Sequence, residues 1–172
     1  PFRYNLVLIL LLILFARLAL EARHLSFTTD ETSHLASGYA YLSGGETWTS
    51  PLRGHPLLID AWNALPIYIA EPNIPIRELN GWQEDNTRYV QSFSPYLATN
   101  VERHEMASRV PMMLITMILA SVVARWAWDL WSATGSVFAL LMLLFDPLVI
   151  GHGILATNDV GVVSIGTFAL YL

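Results

Sequence analysis

Residues 2–20 read FRYNLVLILLLILFARLAL, and this run decides what kind of molecule the chain is. Leu, Ile, Val and Phe follow one another over about 20 positions, which is the length an α-helix needs to cross roughly 30 Å of hydrocarbon. Arg3 flanks the run at its start. Arg17 sits near its end, where a long stem lets the guanidinium reach back toward the interface. A secretory signal peptide shares such an apolar core. However, no small-x-small cleavage site follows, and Glu21-Ala22-Arg23 comes at once, so a retained anchor is expected.

Three further apolar segments lie toward the other end. Pro111 to Trp128 is entered after Arg109 and left through Arg125, Trp126, Trp128 and Trp131, a group suited to the headgroup level. Thr134 to Ile150 follows after a connection too short for anything but an antiparallel neighbour. Val160 to Leu172 is the last, and as a helix it reaches only about 20 Å. The expected architecture is therefore all-α and polytopic, with about four transmembrane segments, the last incomplete. Residues 1–21 form the first span. Residues 22–108 form a large external loop with amphipathic interfacial helices, and 109–172 hold the second to fourth spans with a short external loop at 151–159. With Arg3 and Arg125 as inside flanks, segment parity puts the loops 22–108 and 151–159 on the same, outer face of a plasma (inner) membrane.

Composition agrees: 54% of the 172 residues are hydrophobic, above an ordinary soluble domain. There is no cysteine, so no disulfide or thiolate metal site exists. All nine basic residues are arginine, scattered through a chain of net charge −5, which offers no basic face to nucleic acid. The chain starts at Pro1 and stops inside an apolar run, as expected for the N-terminal part of a longer protein.

Between the spans, Glu31 to Leu42 carries Leu35, Tyr39 and Leu42 at helical spacing and ends before Gly44. Leu57 to Ala70, with Trp62, Tyr68 and an internal Pro66, is apolar but too short to span. Both suit the interface plane. Three groups could carry chemistry. Asp30 and Glu31 with His34 open the first of these helices, although Thr28 and Glu31 also make a capping box and acids in a first turn complement the helix dipole. Arg53 and His55 precede the second helix, where an anion could be received at its N-terminus, or where a turn simply ends. Asp146-Pro147, His152-Gly153 and Thr157-Asn158-Asp159 follow the third span. Ionisable groups at that depth suggest function, while Asp146 and Asp159 also suit helix ends. No tight ligand spacing marks a zinc site among His34, His55 and a carboxylate.

In order, the chain has an N-terminal span, Asp30-Glu31-x-x-His34 with Gly38 and Tyr41-Leu42, then His55-Pro56-Leu57, Arg109-x-Pro111, Asp146-Pro147, His152-Gly153 and Ala156-Thr157-Asn158-Asp159. This ordered set resembles the start of a GT-C-type membrane glycosyltransferase. The pattern is closest to the protein O-mannosyltransferases and dolichyl-phosphate-mannose-protein mannosyltransferase-like enzymes, with the lipid A aminoarabinose transferases further off. Leu57 stands where the family often has a second proline, and Asn158 where it has a second threonine.

The resemblance implies an enzyme of the lipid bilayer that transfers a sugar from a polyprenyl-phosphate donor to a hydroxyl acceptor on protein, lipid or glycan. It implies catalytic roles for Asp30, Glu31 and Asp159. His34, Arg53, His55, Arg109 and His152 are the candidates for holding substrate or phosphate. No cofactor is demanded, and a divalent metal is the one addition these side chains could accept. Two other expectations fit the same sequence: a non-catalytic transmembrane subunit packed against other membrane subunits, and an ion pathway around Asp146 and Asp159, for which intramembrane polar residues are few.

Overall fold

The computed structural model describes residues 2–44 and 57–172; Arg53 and His55 lie outside the described residues. Every regular element among the described residues is helical: α1 (Phe2–Ala22), α2 (Thr29–Leu42), α3 (Leu57–Ala70), a 3-10 turn at Ile76–Glu78, α4 (Asn86–Ala98), α5 (Val101–Phe145), α6 (Pro147–His152) and α7 (Asp159–Tyr171). They fall into two compact units. One holds residues up to Leu25, Met112–Leu155 and Asp159–Leu172. The other holds Ser26–Pro111 and Ala156–Asn158.

In the first unit, α1 is apolar all round but buries only one stripe, Leu10, Leu14, Leu18 and Ala22, at i, i+4 spacing. Leu8, Ile9, Leu12 and Ile13 stay exposed. Just 22% of its most apolar window is buried, whereas a core helix of a water-soluble protein would be enclosed on most sides. α5 is broken at Trp131 and Ser132, where φ/ψ leave the helical region and Ser132 takes φ 54°. The chain folds back there. A Cβ added to Gly135 would lie 2.7 Å from the Ala127 carbonyl oxygen, and Thr116, far down the first arm, donates its hydroxyl to the Gly153 carbonyl at 3.0 Å. The arms are thus antiparallel, as the short connection predicts, and small buried residues (Ala120, Ala124, Ala127, Ser136) let them approach.

Two groups of contacts define the ends of this unit. Tyr4 stacks on Trp128 with centroids 4.9 Å apart, and the Tyr171 hydroxyl donates to Asp129 at 3.0 Å. At the other end the Arg17 guanidinium donates to the Leu144 carbonyl. Two helices, Tyr4–Ala22 and Val101–Phe145, are long and apolar enough to cross a membrane.

The residues expected as an external loop with amphipathic helices build the second unit around its own core. α2 packs mainly on α3 and also on α4, with Leu35, Tyr39, Ile67, Tyr89, Phe93 and Leu97 in one apolar cluster. α2 is buried nearly all round from His34 to Ala40, so it is a core helix and not a surface-lying one; α3 and α4 cover the faces that periodicity alone left open. α3 keeps Leu58, Trp62 and Ile69 exposed. α4 was not expected, yet it is legible: Asp85 caps it by accepting from Arg88 N at 3.1 Å, and Tyr89, Phe93 and Leu97 recur at i, i+4.

Two boundaries also differ from expectation. The second apolar helix begins at Val101, ten residues before Pro111, and carries that proline in its interior. The third segment, expected to run on to Ile150, is interrupted at Asp146-Pro147: α5 ends at Phe145 and a short helix follows. Asp146 accepts from Leu148 N at 2.8 Å and Val149 N at 3.3 Å and starts α6 with proline in its first turn.

Candidate functional site

The site in the second unit is built on the first turn of α2. Thr28 caps the helix through Glu31 N at 3.1 Å, and Glu31 returns to Thr28 N at 3.0 Å, completing the expected capping box. Consecutive helical residues project about 100° apart, so Glu31 points inward while Asp30 points out. Glu31 is fully buried. Its carboxylate meets Arg109 in a two-pronged pair, Nε to Oε1 at 2.8 Å and Nη2 to Oε2 at 2.9 Å, and also accepts from Ala156 N at 3.1 Å. Arg109 donates further to the Ser26 carbonyl at 3.0 Å and lies over the Phe27 ring. Burial by itself opposes ionisation of Glu31. The Arg109 hydrogen bond, the Thr28 and Ala156 amides and the Arg109 charge outweigh it, and they hold the carboxyl below the usual carboxylate range.

Glu31 and Arg109 therefore meet as a locked pair, in which the carboxylate's acceptor capacity is taken by two guanidinium and two backbone donors. Asp30 is different: its side chain is 66% exposed. Its carboxylate lies 3.8 Å from Nε2 of His34. The other ring nitrogen, Nδ1, lies 2.8 Å from Oδ1 of Asp60, and both His34 and Asp60 are buried. Asp60 was not singled out from the sequence. The available signal was an acid, with Asn63 one turn on, in the otherwise apolar LLIDAWNALPIYIA of α3.

Gly38 makes the His34–Asp60 contact sterically attainable. A Cβ there would come 2.1 Å from the Asp60 carbonyl oxygen, so only glycine lets α3 approach α2 so closely. Several buried polar atoms of α3 and of residues 157–158 have no hydrogen-bond partner among the described residues: Oδ2 of Asp60, Oδ1 of Asn63, Oγ1 of Thr157 and both side-chain polar atoms of Asn158. Asn63 Nδ2 reaches the Thr157 carbonyl at 3.3 Å, which joins α3 to the 156–158 segment. A histidine not singled out from the sequence, His104, is buried between the Leu97 carbonyl (Nδ1, 3.0 Å) and Glu71 (Nε2, 3.1 Å) and ties α5 to the segment after α3.

His152 and Asp159 belong to the first unit and pair with each other, Nδ1 to Oδ2 at 3.0 Å, both side chains exposed. They stand at a 240 Å³ apolar cleft lined by Leu119, Leu148, Val149, Val160 and Val163. No group of three or more His, Asp or Glu side chains among the described residues is arranged to hold a metal ion. Compared with known proteins, the chain matches no family model, no curated sequence and no solved structure.

Proposed function

We propose that the first unit is embedded in a membrane and that the second carries the acceptor-activating site of a GT-C-type glycosyltransferase, which moves a sugar from a polyprenyl-phosphate donor to a hydroxyl. The observation that carries the site is the contrast between neighbours: Glu31 is buried and fully bonded, while Asp30 is held beside it with an exposed carboxylate. Attack of a hydroxyl on the anomeric carbon needs a base at the hydroxyl, and the departing phosphate needs no proton. Asp30 is that base. Glu31, paired to Arg109, fixes the helix turn that presents it, and Arg109 is fully buried on that carboxylate.

The membrane placement rests on the exposed apolar flank of α1 and on the alternation of segments in the first unit. In that placement Tyr4, Arg125, Trp128 and Tyr171 lie at the inner headgroup level, and Arg17 and the residues after Leu144 lie at the outer one. A non-catalytic membrane subunit is the second reading, favoured by how completely Glu31 and Arg109 are used in structure.

The test is transfer from a polyprenyl-phosphate sugar by the full natural protein in liposomes. Asp30→Asn keeps size and cannot accept the proton, so the rate should fall by about 10² to 10⁴. Loss of one first-turn acid costs only about 0.3–1 kcal/mol of stability. Wild-type protein without transfer activity would favour the subunit reading, and a variant at full rate would remove Asp30 as the base.

A further inference from the structure

The cleft in the first unit joins apolar walls to one polar edge. Of its lining residues, Leu119 and Val160 are buried while Leu148 and Val163 are exposed, so it opens onto the surface of the unit. Asp159 and Val163 stand one turn apart on α7, and the cleft therefore leads from the His152–Asp159 pair into the apolar segment. In the membrane placement proposed above, the pair stands at the outer headgroup level and the cleft lies among the lipid chains. Its volume of 240 Å³ falls short of the roughly 300–1,000 Å³ that encloses a whole small molecule, so it takes a stretch of one chain. Any lipid chain fills it equally well, because hydrocarbon gains little by exchanging a bilayer for an apolar wall. Selection among lipids then falls to the polar pair.

That pair offers acceptors. Asp159 Oδ2 lies 3.0 Å from Nδ1 of His152, so a neutral ring carries its proton on Nδ1 and presents Nε2 as an acceptor. Oδ1 of Asp159 is a second acceptor, and the two groups together carry one negative charge. An anionic headgroup meets like charge there and finds no donor. A quaternary choline ammonium has no N–H to give, and its usual recognition by aromatic faces is missing, since the rest of the lining is aliphatic. A primary ammonium brings a positive charge and three donors. We propose that the cleft and the His152–Asp159 pair form a binding site for phosphatidylethanolamine of the outer leaflet, with one chain along Val160 and Val163 and the ammonium donating to Asp159 and to Nε2 of His152. The site rests on the membrane placement of the first unit and is independent of the role of Asp30.

The test uses the full natural protein, delipidated in detergent, at pH 8, where an ordinary imidazole is neutral. Native mass spectrometry follows titrations with dioleoyl phosphatidylethanolamine, phosphatidylcholine and phosphatidylglycerol, which share their chains and differ in headgroup. The ethanolamine lipid should bind about fivefold to tenfold more tightly than either of the others, the margin of a charge-assisted pair at an exposed site. Asp159→Asn keeps the side chain's size and removes its charge, so the preference should shrink to within about twofold. Val163→Phe fills the cleft without touching the pair and should erase the preference as well; it decides the matter if circular dichroism shows that Asp159→Asn has lost helicity. Equal affinities in wild type overturn the site and leave the cleft an ordinary lipid-facing surface. Tighter binding of the glycerol lipid overturns the ammonium assignment, and a preference that survives in a folded variant puts the amine lipid elsewhere and overturns the site too. Failure of the membrane placement reads differently: protein stripped from liposomes by alkaline carbonate is not embedded, and the site falls with the placement. Protein that resists carbonate and shows no amine preference sinks the site alone.

Discussion

At the residue scale the buried Glu31–Arg109 pair is the most consequential interaction. Removing one partner leaves an uncompensated charge in the interior, so Arg109→Met should destabilise the second unit by about 3–5 kcal/mol. The double variant Glu31→Gln/Arg109→Met should recover a large part of that loss, and a double-mutant cycle of unfolding in detergent measures the coupling. The pH dependence follows from the lowered Glu31 carboxyl. A group whose folded value is depressed contributes stability that is complete above its unfolded value and is lost as pH falls through the folded one. Tm should therefore be flat above about pH 5 and fall below about pH 4, and Glu31→Gln should remove that part of the acid slope. A Tm that is equally pH-sensitive in the variant would disprove the assignment.

Elements are placed by a few close approaches. Gly38→Ala puts a Cβ 2.1 Å from backbone, which cannot step aside as a flexible side chain would. α2 and α3 must separate, at a cost of about 3 kcal/mol, the upper end for overpacking, and the hydrogen bond between His34 and Asp60 should break as they do. Circular dichroism should show helicity kept while Tm drops. Asp146 acts at the same scale: Asp146→Ala removes an N-cap worth about 1 kcal/mol, and Asp146→Asn should retain it. Equal Tm losses for the two variants would instead point to a role for the charge. α4 lay within reach of sequence reading through Asp85 and the Tyr89, Phe93, Leu97 stripe. It was obscured because the surrounding 70–86 segment is rich in prolines, acids and turns.

For the whole molecule the prediction is topological. With no native cysteine to remove, single cysteines at Asn100 and Ser132 should label from opposite sides of the membrane. Both positions are exposed, so burial does not confound the comparison. Labelling from one side only would refute the alternating arrangement of the apolar segments.

The sequence by itself determined the helical class, the apolar segments, the fold-back after Trp128 and the capping box at Thr28. Each of these is written in neighbouring residues, as a run of Leu and Ile, a short connection or a three-residue spacing. It also placed Asp30, Glu31 and His34 together, since one helical turn does that unaided. Only the tertiary structure decided what those residues do with one another. Glu31 is spoken for by Arg109, 78 positions away, and His34 meets Asp60, 26 positions away. Likewise, the polar stretch after α1 became a packed unit instead of a surface loop because α3 and α4 close over α2. Such partners are set by the backbone approach that Gly38 permits and by the burial of charge, neither of which has a local signature. A carboxylate reads the same in sequence whether it faces water or a guanidinium.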